Sequence, residues 1–254
     1  MRTPVVILGT GGSGTRVLAD ILESAGYFLG AERNRAGDFL GFYDLFETHV
    51  DAYLERTRWV DGVTGDAASL AGGADMSRAL EVGLAQHRAS RPAGDTAWGW
   101  KAPRSIFLLP FLHAQLPELT VIHLVRDGRD MAYSKNQNQL QKHGRHLLAP
   151  GEDALPEPQQ SILLWSRINT AAADYGEQRL AGHYLRVRYE DLCAAPEADV
   201  QRLFAFLGVA QDPGAAAARI RPSPRSEAWK SRDAAEMATL VRLGQPGLRR
   251  FGYA

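Results

Sequence analysis

The stretch that decides the fold runs Val5-Val6-Ile7-Leu8-Gly9-Thr10-Gly11-Gly12-Ser13-Gly14-Thr15-Arg16-Val17-Leu18. Its first four residues form an unbroken apolar run, the pattern of a strand covered on both faces of a parallel sheet. Glycines follow, and then apolar side chains recur at Val17, Leu18, Ile21, Leu22 and Ala25, one stripe of a helix that stops at Gly26. Strand, glycine loop and helix make an anion-binding unit. Glycines let the backbone come close to a ligand, and the N–H groups of the helix start have no partner within the helix. The identity of the anion stays open at this point. Gly9, Gly11 and Gly14 fit the G-x-G-x-x-G of dinucleotide-binding proteins, with Glu32 near the spacing of the acidic ribose ligand, but Tyr27-Phe28-Leu29-Gly30 makes a poor second strand. Gly9 and Gly14 also have the spacing of a Walker A loop. Thr15-Arg16 stands where Lys-Ser or Lys-Thr should follow, so a kinase would lack the lysine that grips the β- and γ-phosphates. A glycine turn that only packs helix on strand is a further reading.

Outward from this unit, residues 120–125 (Thr-Val-Ile-His-Leu-Val) have the β-branched bias of a central strand. They lead into Arg126-Asp127-Gly128-Arg129-Asp130 and a helix expected to carry Ser134 about two turns in. Helices are expected over 76–89, 105–115 (with Pro110 a possible kink) and 159–180, and strands over 97–102 and 183–188. The last regular helix is expected to start near Pro196 and stop at Gly208. Residues 136–158, polar and interrupted by Pro150 and Pro156, read as a mobile lid or acceptor-binding loop. Residues 64–73 read as a loop. Alternating strands and helices predict one α/β domain spanning 1–254, its mostly parallel sheet flanked by helices.

Composition narrows the function. The 254 residues are 45% hydrophobic and 23% charged, with 29 Lys plus Arg against 29 Asp plus Glu, which argues against a general nucleic-acid binder. Cys193 is the single cysteine, so no intramolecular disulfide or thiolate cluster can form. His143 and His146 lack the carboxylate or cysteine neighbours of a metal site, and no metal is expected. The first apolar run is too short for a secretory signal and no stretch reaches the length of a membrane span, so a cytoplasmic protein is expected.

Two motifs together resemble those of sulfotransferases that use 3′-phosphoadenosine 5′-phosphosulfate (PAPS). Gly12-Ser13-Gly14-Thr15 is similar to the family's 5′-phosphosulfate loop. Val121-Ile122-His123-Leu124-Val125-Arg126-Asp127-Gly128-Arg129-Asp130-Met131-Ala132-Tyr133-Ser134 resembles its 3′-phosphate motif, a strand followed by R-D-P-R-D and a serine eight residues after the first arginine. Gly128 replaces the usual proline. The chemistry suits the spacing, because a planar guanidinium at a strand's carboxyl end is a fork for phosphate and a serine adds a hydroxyl donor. Tyr184-Leu185-Arg186-Val187-Arg188-Tyr189-Glu190-Asp191-Leu192 resembles the family's strand plus Y-E-D-L, and Ser226-Glu227-Ala228-Trp229-Lys230 its basic segment that closes over the nucleotide. The resemblance implies a P-loop NTPase-like fold, and PAPS as co-substrate held by Gly11, Gly12, Ser13, Gly14, Thr15, Arg16, Arg126, Ser134, Tyr189 and Lys230. The acceptor would be a hydroxyl or amine of a small molecule, carbohydrate or lipid. Alternatives are a non-catalytic PAPS or nucleotide binder, a kinase or a dehydrogenase.

Sulfuryl transfer needs a cation at the leaving oxygen, in-line placement and a base. The family's basic residue before S-G-T is Gly12 here. Lys101, in Trp98-Gly99-Trp100-Lys101-Ala102-Pro103-Arg104, matches a K-x-P position and is the expected substitute, with Arg16 also in reach. Glu32 and Asp38 are the candidate bases, ahead of Asp44 and His49, in an aromatic-rich stretch that either lines the acceptor pocket or belongs to the core.

Overall fold

A computed structural model describes residues 3–62, 67–94, 96–221, 223 and 227–254. The glycine loop sits where the sequence places it, after β1 (Val5–Gly9) and before α1 (Thr15–Ser24). Among the described residues the sheet has four parallel strands in the order β2-β1-β3-β4, with β2 at Gly99–Lys101, β3 at Thr120–Val125 and β4 at Tyr184–Arg188. Val5 pairs with both Gly99 and Thr120, and Val121 pairs with Tyr184. Because successive side chains of a strand face opposite ways, Val5 and Ile7 enter one core with Ile122, Leu124 and Leu18, while Val6 and Leu8 enter another with Trp100, Phe107 and Val121. That two-sided burial is why β1 and β3 read as continuous apolar runs.

After α1 come α2 (Tyr43–Thr57), α3 (Ala67–Leu70) and α4 (Ala74–Ser90), with α5 (Leu109–Gln115) between β2 and β3. Then follow α6 (Gly128–Ala132), α7 (Asn138–His143) and the long α8 (Glu157–Arg179) before β4, and α9 (Tyr189–Ala194), α10 (Pro196–Leu207), α11 (Gly214–Ala217) and α12 (Ala234–Arg250) after it.

Several expectations are corrected. Pro110 does not kink a helix; it lies in the first turn of α5, where its missing N–H leaves no bond unmade. The aromatic stretch is mostly core: Phe39, Phe42, Phe46 and Tyr53 are buried as Phe42 packs on Trp100 and α2 packs against α4 and the turn at Pro103–Leu108, and Tyr43 alone of that group is exposed. Residues 136–158 are not an open loop. They hold α7 and two short 3-10 turns, with Gln137, Gln139, Leu140, His143 and Leu147 buried. Residues 67–70 within the expected 64–73 loop form α3, and 64–66 lie outside the described residues. The helix at Pro196 is not the last: α12 packs along α8 and ends in the buried Phe251 and Tyr253. A dinucleotide fold would bring a strand from just after α1 beside β1; here that neighbour is β2, some seventy residues on, and Phe28 makes only an isolated bridge to Trp98.

Candidate functional site

All four strands deliver site residues from their carboxyl ends, the edge at which open α/β sheets bind ligands. The loop follows β1, Lys101 ends β2, Arg126 follows β3 and Tyr189 follows β4.

In the loop, Gly12 and Gly14 hold φ of +94° and +95°, in the left-handed region. A Cβ on Gly12 would lie 2.6 Å from Ser134 Oγ, and one on Gly14 would lie 2.6 Å from Tyr189 Cε2. The missing basic residue at position 12 therefore has a physical cause: the backbone there is left-handed and Ser134 fills the space a side chain would take. No side chain caps α1. Among the described residues Ser13 Oγ and Thr10 Oγ1 are buried with no partner, although buried hydroxyls nearly always find one. The Gly11 N–H donates to Gln139 Oε1 at 3.0 Å. The uncapped start of α1, the orphan hydroxyls and the close approach of Ser134 and Tyr189 to Gly12 and Gly14 together suit a phosphate-like anion.

Arg126 is buried across the loop. Its Nη2 donates to Asp130 Oδ2 at 3.1 Å, its Nη1 lies 3.5 Å from the Gly12 carbonyl oxygen, and its guanidinium stands 4.8 Å from the centre of the Tyr189 ring. The Tyr189 hydroxyl accepts from the Ser223 N–H at 2.8 Å, and burial pushes its phenol above the usual tyrosine value. Ser134 is corrected in position: α6 has one turn, and Ser134 follows it because Gln137 Nε2 turns back to cap the carbonyls of Met131 (3.1 Å) and Ser134 (2.9 Å). It still meets Gly12, its Oγ lying in the space that a Cβ there would take. Gly128 is explained by Trp165, whose Cε3 would lie 2.4 Å from a Cβ there, so the indole occupies the volume of the usual proline.

Lys101 is buried, its side chain 3% exposed. Its Nζ forms an ion pair with Asp38 and donates to the Ala36 carbonyl at 2.7 Å. Burial pushes its ammonium below the ordinary lysine value, with the hydrogen bond and charge of Asp38 pulling the other way. Arg16 is exposed and reaches the same segment: Nη2 donates to Arg35 O at 3.2 Å and Nε to Ala36 O at 3.4 Å. Two cations sharing one carbonyl oxygen beside the first turn of α1 raise the positive potential at the mouth of the loop. Asp38 and Lys101 are thus brought together. Glu32 is not; its side chain is exposed. Asp44 is also exposed, in the first turn of α2, and accepts from Thr48 Oγ1 at 3.0 Å.

Asp38 lines a cleft of about 350 Å³ with Asn34, Phe39, Tyr43, Arg104 and Gln139. In its lining Arg104 and Lys142 pair with Glu47 at 2.6 Å, and Arg104 Nη2 lies 3.1 Å from Nε2 of His143, whose Nδ1 is 2.6 Å from Asp51 Oδ1. Because Gln139 also accepts from Gly11, the cleft and the anion loop share a wall. Gln139 and Thr10 carry no motif signal, so sequence reasoning passed over them.

The segment at 227–231 docks on α6. The Glu227 N–H donates to Asp130 Oδ2 at 2.9 Å, and Arg129 stacks on Trp229 with its guanidinium 3.8 Å from the ring centre. Lys230 is exposed and pairs with Glu227 at 2.6 Å. Arg225 and Ser226 lie outside the described residues.

The model of the "Sulfotransferase family" matches residues 4–213. The chain belongs to that family. Mouse (Mus musculus) carbohydrate sulfotransferase 4 is 33% identical over 110 residues, a match covering 40% of this chain and 28% of the mouse protein. Among solved structures, the sulfotransferase domain of the Synechococcus PCC 7002 olefin synthase superposes with a TM-score of 0.57 at 18% identity, covering 100% of this chain and 97% of that one. The sulfotransferase domain of the curacin biosynthetic pathway gives 0.55 at 15% identity, covering 100% and 99%. A Mycobacterium avium sulfotransferase gives 0.57 at 12%, covering 100% and 78%. The P-loop-like α/β fold read from the sequence stands. No metal-binding group of His, Cys, Asp and Glu occurs among the described residues, and no described helix is long and apolar enough to cross a membrane.

Proposed function

We propose that this sulfotransferase takes its sulfuryl group from PAPS and delivers it to a hydroxyl of a small-molecule or carbohydrate acceptor seated in the Asp38 cleft. One observation carries the reading: the uncapped start of α1 with the orphan hydroxyls of Thr10 and Ser13, and the guanidinium of Arg126 3.5 Å from the Gly12 carbonyl oxygen, meet at Gly12. A mononucleotide needs only the first of these. A nucleotide phosphorylated at both 5′ and 3′ needs both. Gly11, Gly12, Ser13, Gly14 and Thr15 would hold the 5′-phosphosulfate, Arg126 and Ser134 the 3′-phosphate, and Tyr189 the face of the base.

In the reaction the acceptor oxygen forms a bond to sulfur while the bond from sulfur to the bridging phosphate oxygen breaks. Negative charge builds on that oxygen as it leaves with 3′-phosphoadenosine 5′-phosphate (PAP). Asp38 takes the acceptor proton. Its neutralisation weakens its hold on Lys101, and the ammonium's field then acts on the leaving oxygen, the role that a basic residue at position 12 would otherwise fill. Arg16 would add positive potential at the rim, and Lys230, exposed and paired with Glu227, would contribute only if that pair opened on nucleotide binding. Glu32, exposed, is set aside as base in favour of Asp38.

Calorimetric titration tests the nucleotide. PAP is expected to bind far more tightly than AMP, and Arg126→Ala to bring the two together. Equal affinity of the unaltered chain for PAP and AMP would refute the assignment. Transfer of sulfur-35 from PAPS across a panel of sugars and alcohols then tests the acceptor class.

A further inference from the structure

The motifs around Arg126 and Tyr189 contain charged residues to which the chemistry above gives no part: Asp127, Arg129 and Glu190. The structure joins them in one closed circuit. The Asp127 N–H donates to Glu190 Oε1 at 3.0 Å. Glu190 Oε2 accepts from the Tyr253 hydroxyl at 2.6 Å. The Tyr253 carbonyl accepts from Arg129 Nη2 at 2.9 Å, and Arg129 Nη2 and Nε return to Asp127 Oδ2 and Oδ1 at 2.6 and 2.9 Å. The ring thus runs through three parts of the chain far apart in sequence.

Arg126 sits inside this ring. The Tyr253 hydroxyl also lies 3.3 Å from the carbonyl oxygen of Val125, and Trp165 Nε1 donates to the Arg126 carbonyl at 3.0 Å. Both peptide units that flank Arg126 are therefore fixed from outside its own turn. The Tyr253 side chain is itself held, with Arg188 4.4 Å from the centre of its ring and Trp165 packed beside it. Burial, with the Glu190 charge next to it, pushes the phenol far above its ordinary value and keeps it a donor. Charge-assisted bonds of this kind are the strong ones, and a guanidinium fork selects for phosphate only when its direction is fixed.

We propose that Tyr253 is a positioning residue: acting through Glu190 and Asp127, it aims Arg126 at the 3′-phosphate and so sets selectivity for a 3′-phosphorylated nucleotide. The proposal rests on the assignment of Arg126 to that phosphate. A residue that merely stabilised the fold would weaken every nucleotide alike, whereas an aiming residue weakens only those carrying the 3′-phosphate.

The test uses the full chain with Tyr253→Phe, which keeps the ring and removes the hydroxyl, and with Glu190→Gln as a second break in the circuit. Loss of one hydrogen bond to a charged group is expected to lower PAP affinity about tenfold. AMP affinity should stay within about twofold, and KM for PAPS should rise while kcat at saturation holds. Parallel losses for PAP and AMP, or no change for either, would overturn the proposal. An unaltered chain that fails to distinguish PAP from AMP would instead overturn the assignment of Arg126 itself, so the two failures are told apart by the wild-type titration.

Discussion

Replacing Gly12 by arginine would restore the cation that related loops carry, and it is expected to harm the enzyme. Gly12 holds φ +94°, and a left-handed conformation costs an ordinary L-residue about 1–2 kcal/mol. Its new Cβ would lie 2.6 Å from Ser134 Oγ, an overlap that drives Ser134 off its position against the loop. Such overpacking adds on the order of 1 kcal/mol, for a sum of about 2–3 kcal/mol. In a chain of this size that corresponds to a fall in Tm of roughly 4–12 °C. PAP affinity should fall as well, because Ser134 is one of the proposed 3′-phosphate donors. Scanning calorimetry, PAP titration and sulfur-35 transfer measure the three effects. Gly12→Ala is the control, since it carries the same backbone penalty without a charge and should lose similar stability. Gly12→Arg with an unchanged Tm and a raised kcat would refute the reasoning and show that the position was open to a catalytic cation.

Asp38→Asn is expected to lower kcat about 10²–10⁴-fold, with PAP affinity preserved. Lys101→Met, which keeps the buried stem, should lower kcat about 10²–10³-fold; unchanged turnover in either variant would return the base or the cation to another residue. Stability should depend on pH through His123, which lies fully buried between the Tyr184 hydroxyl (2.7 Å) and Asn169 Oδ1 (2.9 Å) and is held down to about 4 by burial. An unfolded histidine titrates near 6.5, so as pH falls below that value the unfolded chain takes up a proton that the native chain refuses. Stability is therefore complete above about pH 6.5, declines through the window and levels off below about pH 4, by about 3 kcal/mol in all. Urea midpoints at about pH 7.5 and about pH 5 should show roughly 2 kcal/mol of this, and His123→Gln should flatten the dependence; His87, also lowered chiefly by burial, leaves a residual slope. An unchanged slope in His123→Gln would exclude His123 as the source.

What the sequence made legible was what local physics dictates. β1, β3 and α10 announce themselves because strands buried on both faces are apolar throughout, and because Pro196 and Gly208 mark a helix's start and end by their backbone preferences alone. The anion loop and Arg126 were legible for the same reason, as glycines and a strand-end guanidinium are tied to position. α12 was hidden by its own packing. Gly244, Pro246 and Gly247 look like helix breakers, yet a Cβ on Gly244 would lie 2.5 Å from Ile162 Cδ1 and one on Gly247 2.8 Å from Ser166 Oγ. The glycines let α12 approach α8 closely, and Ser166 Oγ accepts the Gly247 N–H at 2.9 Å. α2 was obscured because its aromatic residues signal both a pocket and a core, and only the packing of α4 and the 103–108 turn against them decides. The pairing of Asp38 with Lys101 joins residues sixty-three positions apart and has no local trace.

The circuit through Tyr253 bears on how the protein matures on the ribosome. The chain emerges in order, and the sheet, the glycine loop and Arg126 are all outside before residues 251–253 have been made. A nascent chain stalled after β4 can hold its strands together, yet the peptide units beside Arg126 still lack their outside support. If the circuit aims Arg126 as proposed, that aim is completed only once Tyr253 has been made, and a nascent chain stalled between β4 and Tyr253 would carry a poorly aimed arginine.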